Sequence, residues 1–86
     1  MNERIKALGR DDAPEWRGLK LSARLRLAKA VRHLAATGEL NRSDLVAIGE
    51  ISVPQASLDL REIRARAPWL MTYDNVARCY RVKEQA

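Results

Sequence analysis

The sequence predicts a mainly α-helical domain that ends in a small β-hairpin. Apolar residues recur at helical spacing from residue 19 to 37, and two shorter helical segments follow at about 43–49 and 52–66. Residues 69–82 then carry aromatic and β-branched side chains on either side of an Asp-Asn turn, as a hairpin requires. Three helices plus a hairpin, with a short turn between the second and third helices, is the element order of a winged helix-turn-helix.

The composition fits one small basic domain. Its 86 residues are 47% hydrophobic with no Phe, which favours helices over a large sheet and argues against wholesale disorder. The formal net charge is +5, and twelve of the sixteen basic residues are Arg. Arg presents a planar fork of donors that suits phosphates and guanine edges. The charge therefore favours a nucleic-acid partner, with a merely solvated basic surface as the alternative.

Several classes of protein are disfavoured by what the sequence lacks. One cysteine and one histidine allow neither an internal disulfide nor a zinc site. No apolar run reaches the length of a membrane span, and no signal peptide begins the chain, so we expect a cytoplasmic protein. There is no Gly-rich phosphate loop and no nucleophile motif. We therefore predict no enzymatic activity, no cofactor and no small-molecule ligand.

The carboxylates are scattered among arginines, which is typical of surface ion pairs. In the third helix, Asp59 and Glu62 are expected to pair with Arg61, Arg64 or Arg66.

The first 18 residues are read as an N-terminal arm, and residues 19–86 as the winged domain. Ile5, Leu8 and Trp16 are the apolar anchors of the arm, and Gly9 and Pro14 interrupt it. Two interpretations are open: a partly ordered tail, or an arm that packs on a partner subunit and so serves dimerisation.

The helix predicted for residues 19–37 has an apolar side and a basic side, and Gly38 follows it as a residue suited to the left-handed backbone. Its apolar side holds Ala23, Leu27, Ala30, Val31, Leu34 and Ala35, and the other side holds Ser22, Arg26, Lys29 and His33. The basic side is either solvated or placed against phosphates. His33 is expected to be a surface residue favoured by the helix dipole.

Capping residues predict where the next two helices begin. A stub of strand is possible at residues 39–41, and Asn41 or Ser43 caps the second helix. Ser52 caps the third helix, with Gln55 three residues later as in a capping box and Pro54 in the first turn. The third helix buries a stripe made of Ala56, Leu60, Ile63 and Ala67, and Pro68 ends it.

The residue types around the third helix could contact DNA. Register on the backbone needs hydroxyls, helix N-termini and cations, for which Arg42, Ser52, Ser57 and Lys20 are candidates. Base readout would use Gln55 for adenine, Arg61 for guanine, and Pro54 or Leu58 for a thymine methyl. An Arg of the wing could enter a narrow minor groove. The predicted DNA-binding set is Arg42, Ser43, Ser52, Pro54, Gln55, Ser57, Leu58, Arg61, Asn75, Arg78 and Arg81. Alternatively, Leu58 packs on a neighbouring helix and Gln55 only caps.

Four stretches of these residues resemble a known family. They are Asn41-Arg42-Ser43-Asp44-Leu45-Val46, the ten residues from Ile51 to Leu60, Ala67-Pro68 and Tyr73-Asp74. They are similar to the N-terminal winged helix-turn-helix of WYL-domain transcriptional regulators, above all the phage-defence group such as the BREX regulator. The likeness runs over about residues 19–82. It implies a bacterial or phage-encoded protein associated with the nucleoid. It also implies a homodimeric repressor on an inverted repeat, with the helix from Ser52 to Arg61 in the major groove.

The chain departs from that family in two ways. Glu50 stands before Ile-Ser where the family usually has Gly, so we expect a differently shaped turn. The WYL domain and the C-terminal domain are missing, which indicates either a short stand-alone regulator or an excised domain; Met1 and the lack of a tag favour the former. A stand-alone form is expected to dimerise through residues 1–18 and the helix at 19–37. Two other functions are considered: a winged-helix module that binds an acidic protein, and a phage-encoded antagonist of a host regulator.

Overall fold

The computed structural model describes residues 3–83, and the expected mainly helical fold with a small sheet is confirmed over this range. Its elements in chain order are α1 (Glu3–Leu8), a 3₁₀ turn (Pro14–Trp16), α2 (Leu21–Thr37), β1 (Glu39–Leu40), α3 (Arg42–Gly49), α4 (Val53–Arg66), β2 (Met71–Asp74) and β3 (Cys79–Val82). Helices α2, α3 and α4 and the β2–β3 hairpin have the order of a winged helix-turn-helix.

Helix α2 runs through the centre of the fold. Its predicted apolar side is largely confirmed, since Leu27, Ala30, Val31 and Leu34 are buried. The helix begins two residues later than predicted because Lys20 is extended. Gly38 ends it in the left-handed conformation, at φ 81°, as predicted.

Side-chain caps fix the starts of α3 and α4. Asn41 caps α3 in a reciprocal capping box with Asp44. Ser52 caps α4, and its hydroxyl accepts a hydrogen bond from the Gln55 backbone N–H at 3.2 Å. The Gln55 side chain does not complete the predicted box, because it donates instead to the carboxylate of Asp59. The predicted apolar stripe of α4 is confirmed, and all four of its residues are buried.

The turn between α3 and α4 places a glutamate where glycine is favoured. Glu50 ends α3 with φ 52° and ψ 47°, which is the left-handed region. The turn therefore has a Gly-like backbone despite the departure at position 50. Gly49 instead allows close packing of α3 against α2, since a Cβ there would lie 3.3 Å from the Arg26 side chain.

A small antiparallel sheet packs beside the helices in the order β1-β3-β2. The predicted strand stub is confirmed, because Glu39 and Leu40 of β1 pair with Arg81 and Tyr80 of β3. Pairing to β1 anchors the hairpin to the segment between α2 and α3. The wing is therefore held at its base, while its loop extends away.

The N-terminal segment is part of the core. Ile5, Leu8 and Trp16 are buried in this chain, and the Trp16 indole N–H donates to the Leu8 carbonyl at 3.1 Å. Arg66 of α4 donates to the carbonyls of Glu15 and Arg17 at 3.0 and 2.8 Å. For residues 3–18, the interpretation as a partly ordered tail is therefore wrong. Trp16 is buried against its own chain, so it is not a side chain that an arm offers to a partner.

None of the helices within residues 3–83 has the length and apolarity of a membrane-spanning helix.

Candidate nucleic-acid interface

A groove of about 770 Å³ lies between the start of α3, one side of α4 and the β2–β3 hairpin. Its lining comprises Asn41, Arg42, Ser43, Val46, Val53, Ser57, Leu60, Arg61, Arg64, Tyr73, Arg78, Cys79 and Tyr80. Five of the predicted DNA-binding residues therefore meet at one surface: Arg42, Ser43, Ser57, Arg61 and Arg78. Four of the lining side chains are arginines, and none is a carboxylate.

The two helices are joined at this groove by a polar contact. Arg42, the first residue of α3, donates from Nη1 to the Ser57 Oγ of α4 at 3.3 Å. Arg has five N–H donors, so this single bond leaves Arg42 able to bind an anion as well. Ser43 is also at the start of α3, where its hydroxyl donates to the Asn41 side chain at 2.7 Å.

The outer side of α4 presents apolar side chains to solvent. Leu58 is 49% exposed, and Pro54 beside it is exposed too. The alternative that Leu58 packs on a neighbouring helix is therefore wrong. An exposed apolar surface on the same helix as Arg61 has the character needed to contact a thymine methyl group.

Gln55 is tied to a buried ion pair. Its Nε2 donates to Asp59 Oδ1 at 2.9 Å, and Arg26 of α2 grips the same carboxylate through Nε at 2.9 Å and Nη2 at 3.2 Å. Asp59 is only 3% exposed, and the hydrogen bond to its carboxylate raises the pKa of Arg26 above its ordinary value. The prediction that Asp59 forms a surface pair with an arginine of α4 is wrong. Its partner lies on another helix, which spacing within α4 could not reveal.

The remaining predictions for polar side chains have mixed outcomes. Glu62 pairs with Arg66 one turn later at 2.7 Å, as expected. His33 is not a simple surface residue, because its Nε2 lies 3.5 Å from the Asp44 carboxylate of α3. Lys20 and Ser52 are exposed but do not line the groove.

The tip of the wing is shaped by Asp74. Its Oδ1 accepts hydrogen bonds from the backbone N–H groups of Val76 and Ala77, and these bonds lower the pKa of the carboxyl. Asn75 and Val76 are exposed at the tip. Arg78 has a left-handed backbone at φ 56° and lines the groove.

Arg81 does not line the groove. Its guanidinium pairs with Glu39 at 2.8 Å across the β1–β3 ladder and with Asp74 at 3.0 Å. Two carboxylates therefore compensate its charge, and its side chain lies in an ion-pair network on the sheet. The structure therefore does not bring Arg81 together with the four arginines of the groove.

Sequence reasoning missed Arg64 and the two tyrosines that line the groove. The Arg64 guanidinium lies 5.7 Å from the centre of the Tyr80 ring, and Tyr73 and Tyr80 meet edge to face at 5.1 Å. Arg64 was expected to pair with a carboxylate. Its spacing of seven residues from Ser57 and three from Arg61 places it on the same side of α4, which was the available signal.

Comparisons with known proteins give a partial match. No protein-family profile and no solved structure matches the chain. The DNA-binding transcriptional repressor CapW of Escherichia coli strain KTE188 is 52% identical over 44 residues, which are 51% of this chain and 15% of that protein. CapW of Pseudomonas aeruginosa is 49% identical over 47 residues, 55% of this chain and 16% of that protein.

The matched part thus spans less than one fifth of the length of these relatives. The predicted resemblance to WYL-domain regulators is confirmed over this part. Over about half its length, then, this chain is similar to DNA-binding transcriptional repressors of the CapW type.

Proposed function

We propose that this chain is a sequence-specific regulator of transcription that binds double-stranded DNA, with α4 in the major groove and the β2–β3 hairpin as a wing on the backbone. The observation that carries the proposal is the groove between α3, α4 and the wing, where four arginines converge and no carboxylate lines the surface. Such a surface attracts the phosphate backbone and releases counterions on binding. The likeness to CapW supports the same function.

The position of each side chain suggests its role. Arg42, Ser57 and Arg78 lie in the groove and are proposed to hold the phosphates, so that the register of the domain is fixed. Ser43, whose hydroxyl already donates to Asn41, is proposed to contribute through its backbone N–H at the start of α3. Gln55 and Arg61 are proposed to read base edges, and Pro54 and Leu58 to contact a thymine methyl. Asn75, at the tip of the wing, is proposed to contact the DNA beyond the reach of α4. Ser52, at the start of α4, is proposed to contact the DNA backbone together with the helix N-terminus.

A homodimeric repressor on an inverted repeat is the form we propose. Leu21 and Leu25 lie one turn apart on α2 and are 54% and 46% exposed, which supports the expectation that α2 contributes to a dimer contact. The half-sites should then be separated by roughly one helical turn of DNA, about 10–10.5 base pairs, or a multiple.

Selection of duplexes from a randomised library, followed by titration of the selected site, tests the proposal. We expect the selected duplex to bind about 10³-fold or more tightly than random DNA. Arg61→Ala should cost about 1–3 kcal/mol and relax the preference at one base pair, whereas Arg42→Ala should weaken all duplexes and reduce the salt slope by about one.

Arg10→Ala is the matched control for Arg61→Ala. Arg10 is exposed, pairs with Asp12 in the N-terminal segment and carries the same charge outside the groove. Equal losses for the two variants, with no selected sequence, would contradict the proposal. That result would favour instead the protein-interaction module, in which the arginines meet an acidic partner.

A further inference from the structure

We infer that Asp59 is a positioning residue for base readout: its buried carboxylate holds the Gln55 amide in one orientation, and Arg26 of α2 holds the carboxylate. This inference rests on the proposed function, in which Gln55 faces a base. It adds two residues, one of them on a different helix, that are not expected to touch DNA.

The geometry fixes which end of the amide meets Asp59. An ionised carboxylate only accepts hydrogen bonds, so Gln55 must turn its Nε2 and not its Oε1 toward it. The observed distance from Nε2 to Oδ1 is 2.9 Å. A rotation of the amide by half a turn would place Gln55 Oε1 against Asp59 Oδ1. Both oxygens are acceptors, so they would repel each other. Asp59 therefore locks the order of donor and acceptor that Gln55 presents.

The carboxylate is itself immobilised by a bidentate contact. Arg26 binds both of its oxygens, at 2.9 and 3.2 Å, and the Asp59 side chain is 5% exposed. A paired planar fork of this kind holds orientation as well as charge. Arg26 belongs to α2. The orientation of the Gln55 amide is therefore fixed relative to α2 as well as to α4.

The bond to Asp59 leaves Gln55 with the donor and the acceptor that adenine requires. A primary amide has two N–H groups and one carbonyl, and Asp59 uses one N–H. The other N–H and Oε1 remain as the donor and acceptor that fit N7 and the N6 amino group of adenine. An amide held in this way has fewer rotamers to lose on binding, so its preference for adenine should be stronger than that of a free Gln.

The test is a double-mutant cycle on the discrimination between bases, measured with the duplex selected by the wild-type protein and its single-base-pair variants. Gln55→Ala should lose about 5- to 150-fold of the preference at one base pair. Asp59→Asn should lose about 10-fold at that same base pair. The double variant should lose no more than Gln55→Ala alone, because Asp59 acts only through Gln55.

Glu62→Gln is the matched control. It also removes one negative charge from α4, but Glu62 pairs with Arg66 and does not contact Gln55. It should leave the discrimination at that base pair unchanged. If Asp59→Asn does not fold, as judged by circular dichroism, Arg26→Lys is used, which keeps the charge beside Asp59 but not the bidentate grip. It should lose preference at the same base pair.

A second readout does not depend on DNA. Gln55 is one of five side-chain amides in the chain, with Gln85 and three asparagines, so its NMR signal can be assigned by its absence from Gln55→Ala. The Gln55 amide protons should shift and exchange faster in Asp59→Asn than in Glu62→Gln. Full base preference in a folded Asp59→Asn, while Gln55→Ala loses it, would overturn the inference alone. Absence of any preferred sequence for the wild type would instead overturn the proposed function.

Discussion

Replacing Trp16 tests whether the N-terminal segment belongs to the core. Its side chain is fully buried, and its indole N–H bonds to the buried Leu8 carbonyl. Removing a buried Trp side chain costs about 3–5 kcal/mol, and leaving the Leu8 carbonyl unpaired adds about 1–3 kcal/mol. The expected loss for Trp16→Ala is therefore about 4–8 kcal/mol in the free energy of unfolding. A domain of this length has roughly 4–13 kcal/mol in total, so Trp16→Ala should be largely unfolded at room temperature.

Trp16→Phe gives a finer measurement. Phe keeps an aromatic ring in the cavity but removes the N–H donor, so we expect a loss of about 1–3 kcal/mol. Urea denaturation followed by circular dichroism measures both variants, because fluorescence would change with the Trp itself. Trp69→Phe is the control, since Trp69 is only half-buried beneath the Arg4 guanidinium.

The result that would refute this reasoning is a Trp16→Ala protein within about 1 kcal/mol of the wild type at an unchanged urea slope. Such a protein would show that Trp16 and its bond to Leu8 contribute little to the stability of the core.

Three further predictions concern single residues. Glu50→Gly should raise the free energy of unfolding by about 0.5–1 kcal/mol in urea, because Glu50 has a left-handed backbone that Gly adopts without a steric penalty; a loss of stability would contradict this reading of the turn. The pKa of Asp74 is lowered in the folded state, so its charge stabilises the fold above about pH 4 and this contribution is lost as the pH falls through the folded pKa. Acid titrations of the wild type and Asp74→Asn should therefore differ in unfolding free energy at neutral pH and converge in acid. Burial raises the pKa of the Cys79 thiol, so a disulfide reagent at pH 8 should label the folded protein far more slowly than the protein in urea; equal rates would show that β3 opens freely.

Local chemistry determined the elements of this fold. Asn41 and Ser52 cap α3 and α4 because a short polar side chain satisfies free N–H groups wherever the helix lies. Gly38 ends α2 because its conformation depends on its own backbone. The wing follows from strand-forming residues on either side of Asp74, whose carboxylate organises the turn within three residues. Each of these features depends on residues a few positions apart, so the sequence predicted them, except that it left Asn41 and Ser43 as alternative caps of α3 and the structure shows Asn41.

Only the tertiary structure decided which charged side chains are ion-paired and which aromatic side chains are buried. The sequence predicted Asp59 as a surface ion-pair partner and Arg81 as a DNA contact, yet Asp59 is buried against Arg26 and Arg81 pairs across the sheet with Glu39. Trp16 packs into the core beside Leu8 instead of serving an arm. The Asp59 and Arg81 contacts join residues more than 30 positions apart. Their existence depends on how the helices and the sheet pack, which periodicity and capping do not specify.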